Sequence, residues 1–242
     1  MRLRKQSGGW LASPYLTAPG AGAMMRGMSP KRREGHFDRW APRYDRSIHQ
    51  KLVFGPVHEA VLGAFEAFGA VPGDILDIGC GTGRLLEAAG RRWTGARLIG
   101  IDASEGMIAE ARHKHDGEVR FSFERGDSSR LPLEDASFDA VFSTVSFHHW
   151  GDQSGGIREA ARVLRPGGLF VLADIRMPFL SILRPLVIRG GRSNFLPPRA
   201  VRQLIEEASL SVEAERRFWS FSSFQLFVAR KPDAPEPSKG TA

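Results

Sequence analysis

The stretch Ile75-Leu-Asp-Ile-Gly-Cys-Gly-Thr-Gly-Arg84 is a short apolar run that opens into three closely spaced glycines. A second apolar run, Leu98-Ile-Gly-Ile101, ends on Asp102. A strand, a glycine turn, a helix and a strand ending in a carboxylate make up half of a nucleotide-binding α/β domain. Glycines at such a turn let the backbone approach a ligand closely, and the carboxylate can accept hydrogen bonds from two ribose hydroxyls. The dinucleotide fingerprint reads Gly-x-Gly-x-x-Gly, whereas Gly79, Gly81 and Gly83 read Gly-x-Gly-x-Gly. The tighter spacing speaks against a nicotinamide dinucleotide.

Outward from this stretch, strands and helices alternate. Apolar strand-like runs fall at 75–78, 97–101, 119–123, 138–143 and 168–173, with helical patterns at 82–90, 105–115 and 155–164. Such alternation implies right-handed crossovers and a parallel sheet covered on both faces. Upstream, Leu52, Val53, Val57, Val61, Leu62 and Phe65 recur at helical spacing, and Pro72-Gly73 marks the break before the first strand. Arg165-Pro-Gly-Gly168 is expected to stop a helix and launch the fifth strand, which ends at Asp174. Residues 175–197 mix Pro178, Pro185, Gly190, Gly191 and Pro197 with apolar side chains and read as an inserted lid. A helix over 198–209 and strands at about 211–218 and 224–230 close the pattern. Residues 1–34 and the tail from Pro232 show no period and read as disordered, and no internal repeat is present.

The glycine loop preceded by Asp77 resembles the cofactor loop of the class I S-adenosylmethionine-dependent methyltransferases, and the likeness runs from about residue 36 to 230. On Phe37-Asp-Arg-Trp-Ala-Pro-Arg-Tyr-Asp45 and Arg162-Val-Leu-Arg-Pro-Gly-Gly168 the chain looks most similar to small-molecule methyltransferases of the ubiquinone/menaquinone-biosynthesis type. The resemblance implies an α/β fold: a Rossmann-like, seven-stranded, mostly parallel sheet with helices on both faces. Its antiparallel last strand inserts between the fifth and sixth. It divides the chain into a disordered basic arm over 1–34, a methyltransferase domain over 35–231 with a lid over 175–197, and a disordered tail over 232–242.

The resemblance also implies S-adenosyl-L-methionine as cofactor and a set of ligands for it. Asp77 and Tyr44 would lie by the methionyl moiety, Gly79 and Gly81 would offer backbone, and Asp102 would hold the ribose. Met107 would pack on the adenine face, Asp127 would accept from the adenine amino group, the Ser128 N–H would meet a ring nitrogen, and Ser143 would border the sulfonium. Plainer roles stand beside these. Asp102 and Ser104 could cap the following helix, Met107 could be core, and Gly126-Asp127-Ser128 could be only a turn.

Methyl transfer is a direct displacement from a sulfonium, so alignment and desolvation can supply much of the acceleration. A base is needed only if the acceptor must lose a proton. His148 and His149 in Ser146-Phe-His-His-Trp150 are the candidate catalytic residues, since histidine titrates near working pH. The same turn could instead only shape the pocket. Two adjacent histidines do not make a metal site, and no metal is expected. Ser143-Thr-Val-Ser146 stands where DNA and RNA amino-methyltransferases carry an Asp/Asn-Pro-Pro-aromatic tetrad, and Cys80 sits away from the place of a cytosine-C5 nucleophile. One thiol is too few for arsenic methylation, so a small organic acceptor remains. In the lid, Phe179, Leu180, Ile182, Leu183, Leu186, Val187 and Ile188 are interspersed with Arg176, Arg184, Arg189 and Arg192. It could enclose a hydrophobic acceptor bearing an acid or phosphate, rest on a membrane surface, or be plain packing.

Charge distribution narrows the partners. The formal charge is +7, but residues 1–34 hold seven Arg/Lys and one acid, +6, which leaves +1 for the rest. The basic character thus belongs to the arm, and nucleic acid is disfavoured as a partner of the folded part. The single cysteine, Cys80, rules out an internal disulfide and a cysteine-based zinc site, and suits a reducing compartment. No apolar stretch reaches the roughly 20 residues of a spanning helix. The start lacks the apolar middle of a secretion signal, although its Arg and Ser content also fits a transit peptide, and Met24, Met25 and Met28 offer later starts. The expectation is a cytoplasmic S-adenosylmethionine-dependent methyltransferase acting at O, C or N of a small, hydrophobic acceptor. An RNA methyltransferase using the arm, or a non-catalytic S-adenosylmethionine-binding protein, are the alternatives; oligomeric state is left open.

Overall fold

A computed structural model of the chain describes residues 48–69, 71–176, 194–220 and 222–233. The expected arm over 1–34, Tyr44, residues 177–193 of the expected lid and the tail from 234 lie outside the described residues. In chain order the elements are α1 (Ile48–Phe68), β1 (Asp74–Ile78), α2 (Arg84–Arg92), β2 (Arg97–Asp102), α3 (Glu105–Lys114), β3 (Phe121–Arg125) and β4 (Phe138–Thr144). A single 3₁₀ turn (Phe147–His149) leads to α4 (Gln153–Val163), β5 (Leu164–Ile175), α5 (Pro198–Glu207), β6 (Ser211–Trp219) and β7 (Ser223–Arg230).

The strands form one seven-stranded sheet in the order β3-β2-β1-β4-β5-β7-β6. Strands β1 to β5 are parallel, and β7 runs antiparallel to both β5 and β6, as the resemblance implied. Burial on both faces explains the continuous apolar runs of the central strands. Ile75, Phe142, Val171 and Val228 point into one core with Val61 and Phe65 of α1, Leu85 of α2 and Ile108 of α3. Leu76, Val141, Phe170 and Phe227 point into the other with Ile157 of α4 and Ile205 of α5. Each such side chain, fully buried, contributes about 1.5–3 kcal/mol.

Two boundaries differ from the expectation. Strand β3 begins at Phe121, which lies opposite Leu98 of β2, and the apolar Val119 that suggested an earlier start is almost fully exposed. Strand β5 begins at Leu164, so Arg165-Pro-Gly-Gly168 lies inside it and not before it. Gly167 takes φ +77° and the stretch bulges, while Arg165 donates to Asp139 and Asp74, at 2.7 Å each, which clamps β5 to β4 and β1. The irregularity is absorbed as a register shift between Phe138 and Ala140.

The strand order reverses direction between β1 and β4, and ligands of open α/β sheets bind beyond the carboxyl ends of the strands at that point. The glycine loop after β1 and the histidine turn after β4 both lie there. Among the described residues no helix is long and apolar enough to cross a membrane.

Candidate active site

Gly79 and Gly81 adopt φ of +79° and +54°, the left-handed region that side chains disfavour. The N–H groups of Gly79 and Cys80 donate to the carbonyl of Ile101 at 2.7 and 3.1 Å, tying the loop to β2. A Cβ on Gly79 would overlap the Ser146 hydroxyl, whereas one on Gly81 would enter open space. The first glycine is therefore demanded by packing, and the second leaves a cradle on the ligand side.

Asp102, at the end of β2, braces this cradle. Its Oδ2 accepts from the Gly81 N–H and its Oδ1 from the Ser104 N–H, both at 2.9 Å. The helix cap is Ser104 itself, whose Oγ accepts from the Met107 N–H at 3.2 Å. Asp77 is buried under the loop, and its Oδ1 has no hydrogen-bond partner. Burial, with the Asp102 carboxylate nearby, pushes its pKa up to about 8. A buried carboxyl oxygen without a partner is costly, so the site is built for a donor or a cation to arrive there. Burial pushes the Cys80 thiol up, which removes it as a nucleophile.

Met107 is buried yet joins neither apolar core. Asp127 is exposed, and its Oδ1 accepts from the Ser129 N–H and Oγ at 2.8 Å each, so a turn is formed here and Ser128 lies within it. Ser143 is fully buried with its Oγ 2.9 Å from that of Ser146, which in turn donates to the Ile78 carbonyl at 3.0 Å. Between them Val145 has φ +53°, an outlier for a β-branched residue. This kink carries the chain across the loop and seats Ser146 against Gly79.

Past the kink, His148 Nδ1 lies 2.7 Å from Asp174 Oδ1, and the His148 backbone N–H donates to Asp174 Oδ2 at 2.8 Å. With Nδ1–H donating to the carboxylate, the imidazole lone pair is on Nε2. The His148 ring is buried and stacks on Phe195 with centroids 4.4 Å apart, while His149 is exposed. Asn194 holds this return segment in place through its donation to the Trp150 carbonyl at 3.0 Å. Sequence reasoning missed Asp174 as a partner, Ser146 as the loop's support and Phe195 as the ring's backing. The one signal available was the position of Asp174 at the carboxyl end of a strand beside β4.

Residues 76–172 match a family model described as a methyltransferase domain. They run from β1 through the glycine loop, Asp102 and the histidine turn into β5. Over this stretch the chain is similar to methyltransferase domains. The chain is 45% identical to the 27-O-demethylrifamycin SV methyltransferase of Amycolatopsis mediterranei over 105 residues, which are 41% of this chain and 38% of that one. It is 34% identical to the demethylmenaquinone methyltransferase of Beutenbergia cavernae over 145 residues, 60% of this chain and 58% of the relative. The chain thus spans well under two thirds of the length of these relatives. A methyltransferase of Haloferax volcanii, solved in complex with its activator, shares the fold with TM-score 0.67 at 23% identity, covering 84% of this chain and 99% of its own.

Proposed function

We propose that the chain is an S-adenosylmethionine-dependent methyltransferase of a small organic acceptor, with His148 drawing a proton from that acceptor. The observation that carries it is the His148–Asp174 pair at the carboxyl end of β4 and β5, beside the open cradle at Gly81. The residues present fit the cofactor: Gly81 leaves space, Asp77 offers an unpartnered buried oxygen, and Asp102 stands at a strand end within reach of a ribose diol. Met107, Asp127 and Ser128 would hold the adenine, and Ser143 with Tyr44 would flank the methionyl end. When bound, S-adenosylmethionine supplies a methyl group on a positive sulfur.

The chain's own residues do the rest. His148 Nε2 accepts the proton, Asp174 fixes the ring and stabilises the imidazolium, and Phe195 keeps water from the ring's face. His149 stands at the exposed side of the same turn. The relatives' names support a small-molecule acceptor. A cytoplasmic setting is part of this reading, since one buried, unpaired thiol suits reducing conditions.

Incubation with methyl-labelled S-adenosylmethionine and a cell extract tests the proposal. A labelled small molecule is expected; label on RNA, or bound donor with no product, would overturn it. His148→Ala should lower kcat by about 10²–10⁴-fold and remove the acid limb of the pH–rate profile.

A further inference from the structure

We infer that the acceptor carries a carboxylate or phosphate, taken by Arg176 and Arg217 beyond the His148–Asp174 pair, with its planar apolar body on Trp219. The inference rests on reading the His148 mouth as the acceptor site. The strand register places these residues. Asp174 lies opposite Gln225 of β7, and Gln225 lies opposite Arg217 of β6. One step beyond, the Arg176 N–H continues the ladder by donating to the Ser223 carbonyl at 2.7 Å, and Ser223 lies opposite Trp219. Residues directly opposite share a face of the sheet, and so do alternate residues along a strand. Asp174, Arg176, Arg217 and Trp219 therefore project on the side that holds His148, while Phe218 and Phe224 turn to the face covered by α1. The two rows are about 7 Å apart, and neighbouring strands about 5 Å.

The two arginines on this rim are uncompensated, whereas several elsewhere in the described residues are paired. Arg92 pairs with Glu59 and Glu66, Arg162 with Glu159 and Asp135, Arg165 with Asp74 and Asp139, and Arg202 with Glu215. Neither Arg176 nor Arg217 has an ion pair or a side-chain hydrogen bond with a described residue. The carboxylates on the same face are already engaged, Asp174 by His148 and Glu215 by Arg202 and Gln225. Trp219 is 76% exposed and leaves its indole open to a flat ligand. Two forked cations and an exposed indole in two adjacent rows complement a flat molecule with an anionic end, not a neutral one.

The test is equilibrium titration of the full chain, saturated with S-adenosylhomocysteine, with phenyl phosphate, benzoate and phenol. Phenyl phosphate or benzoate should bind about tenfold or more tighter than phenol, the factor that one hydrogen bond to a charged group provides. Arg176→Gln should erase that preference, whereas Arg216→Gln, on the opposite face of β6, should keep it. Equal binding of phenol and both anions, no measurable anion binding, or equal effects of the two variants would overturn the inference. Preference for phosphate over benzoate, or the reverse, tells the two anions apart. The assay needs no turnover, so a chain that binds these anions without methylating anything would sink the proposed function and leave this inference standing. A labelled product without an anionic group would do the opposite.

Discussion

At the scale of single residues, the proposed cofactor cradle rests on a few side chains and on two glycines that have none. Asp102→Ala removes the acceptor of the Gly81 and Ser104 N–H groups together with the expected ribose contact. Calorimetric titration should show S-adenosylhomocysteine binding weakened by about 1–3 kcal/mol. Gly79→Ala must place a methyl on the Ser146 hydroxyl at a backbone φ of +79°, so both cofactor affinity and melting temperature should fall. Asp77 makes the ligand-free chain sensitive to pH. Its folded pKa of about 8 lies above the ordinary 3.8, so the folded chain keeps a proton that the unfolded chain releases between these values. The stability from this group is whole below about pH 4 and is lost as pH rises through 8. Melting curves of the wild type and Asp77→Asn from pH 5 to 9 should diverge, the wild type losing ground as pH rises. Gly79, Gly81 and Asp102 were legible in the sequence because the loop and the strand end that braces it lie close along the chain. The Asp174 partner of His148 was not, because β4 and β5 bring together residues separated by a whole helix.

At the scale of elements, the His148–Asp174 pair depends on two strand ends and one kinked connection. Strand β4 ends at Thr144, Val145 reverses the path at φ +53°, and the 3₁₀ turn then points His148 at the last residues of β5. If ring and carboxylate act as one unit, Asp174→Asn should lower kcat nearly as far as His148→Ala, and the double variant should add little. Pre-steady-state and pH–rate measurements on the three variants check this. The same strand shows where punctuation misleads. Pro166, Gly167 and Gly168 read as a break before the strand, yet they form a bulge inside β5, with Gly167 at φ +77° and Arg165 bound to Asp74 and Asp139. Arg165 is partly exposed, so Arg165→Ala should cost no more than about 1 kcal/mol, read as a small drop in denaturant midpoint. Helix positions, by contrast, followed the apolar spacing to within a few residues, since each packs one stripe on a sheet face.

At the scale of the whole molecule, the sheet puts its chemistry at one end and its ionic clamp at the other. The carboxyl ends of β1, β2, β4 and β5 carry the cradle, Asp102, the histidine turn and Asp174, while Arg165 locks the opposite ends of β1, β4 and β5. The parallel part of this order followed from alternating strands and helices; the inserted β7 followed from the resemblance, because hydrophobic pattern alone does not order antiparallel neighbours. The surface of Arg176, Arg217 and Trp219 stayed illegible because its rows across β5, β7 and β6 exist only once the strands are in register. The buried state of Asp77 also has a consequence for the molecule's proton count. A cationic ligand settling beside that carboxyl would expel its proton to the solution at neutral pH. The heat of cofactor binding should then change with the ionisation enthalpy of the buffer, larger in one buffer and smaller in another at the same pH. In Asp77→Asn that dependence should vanish.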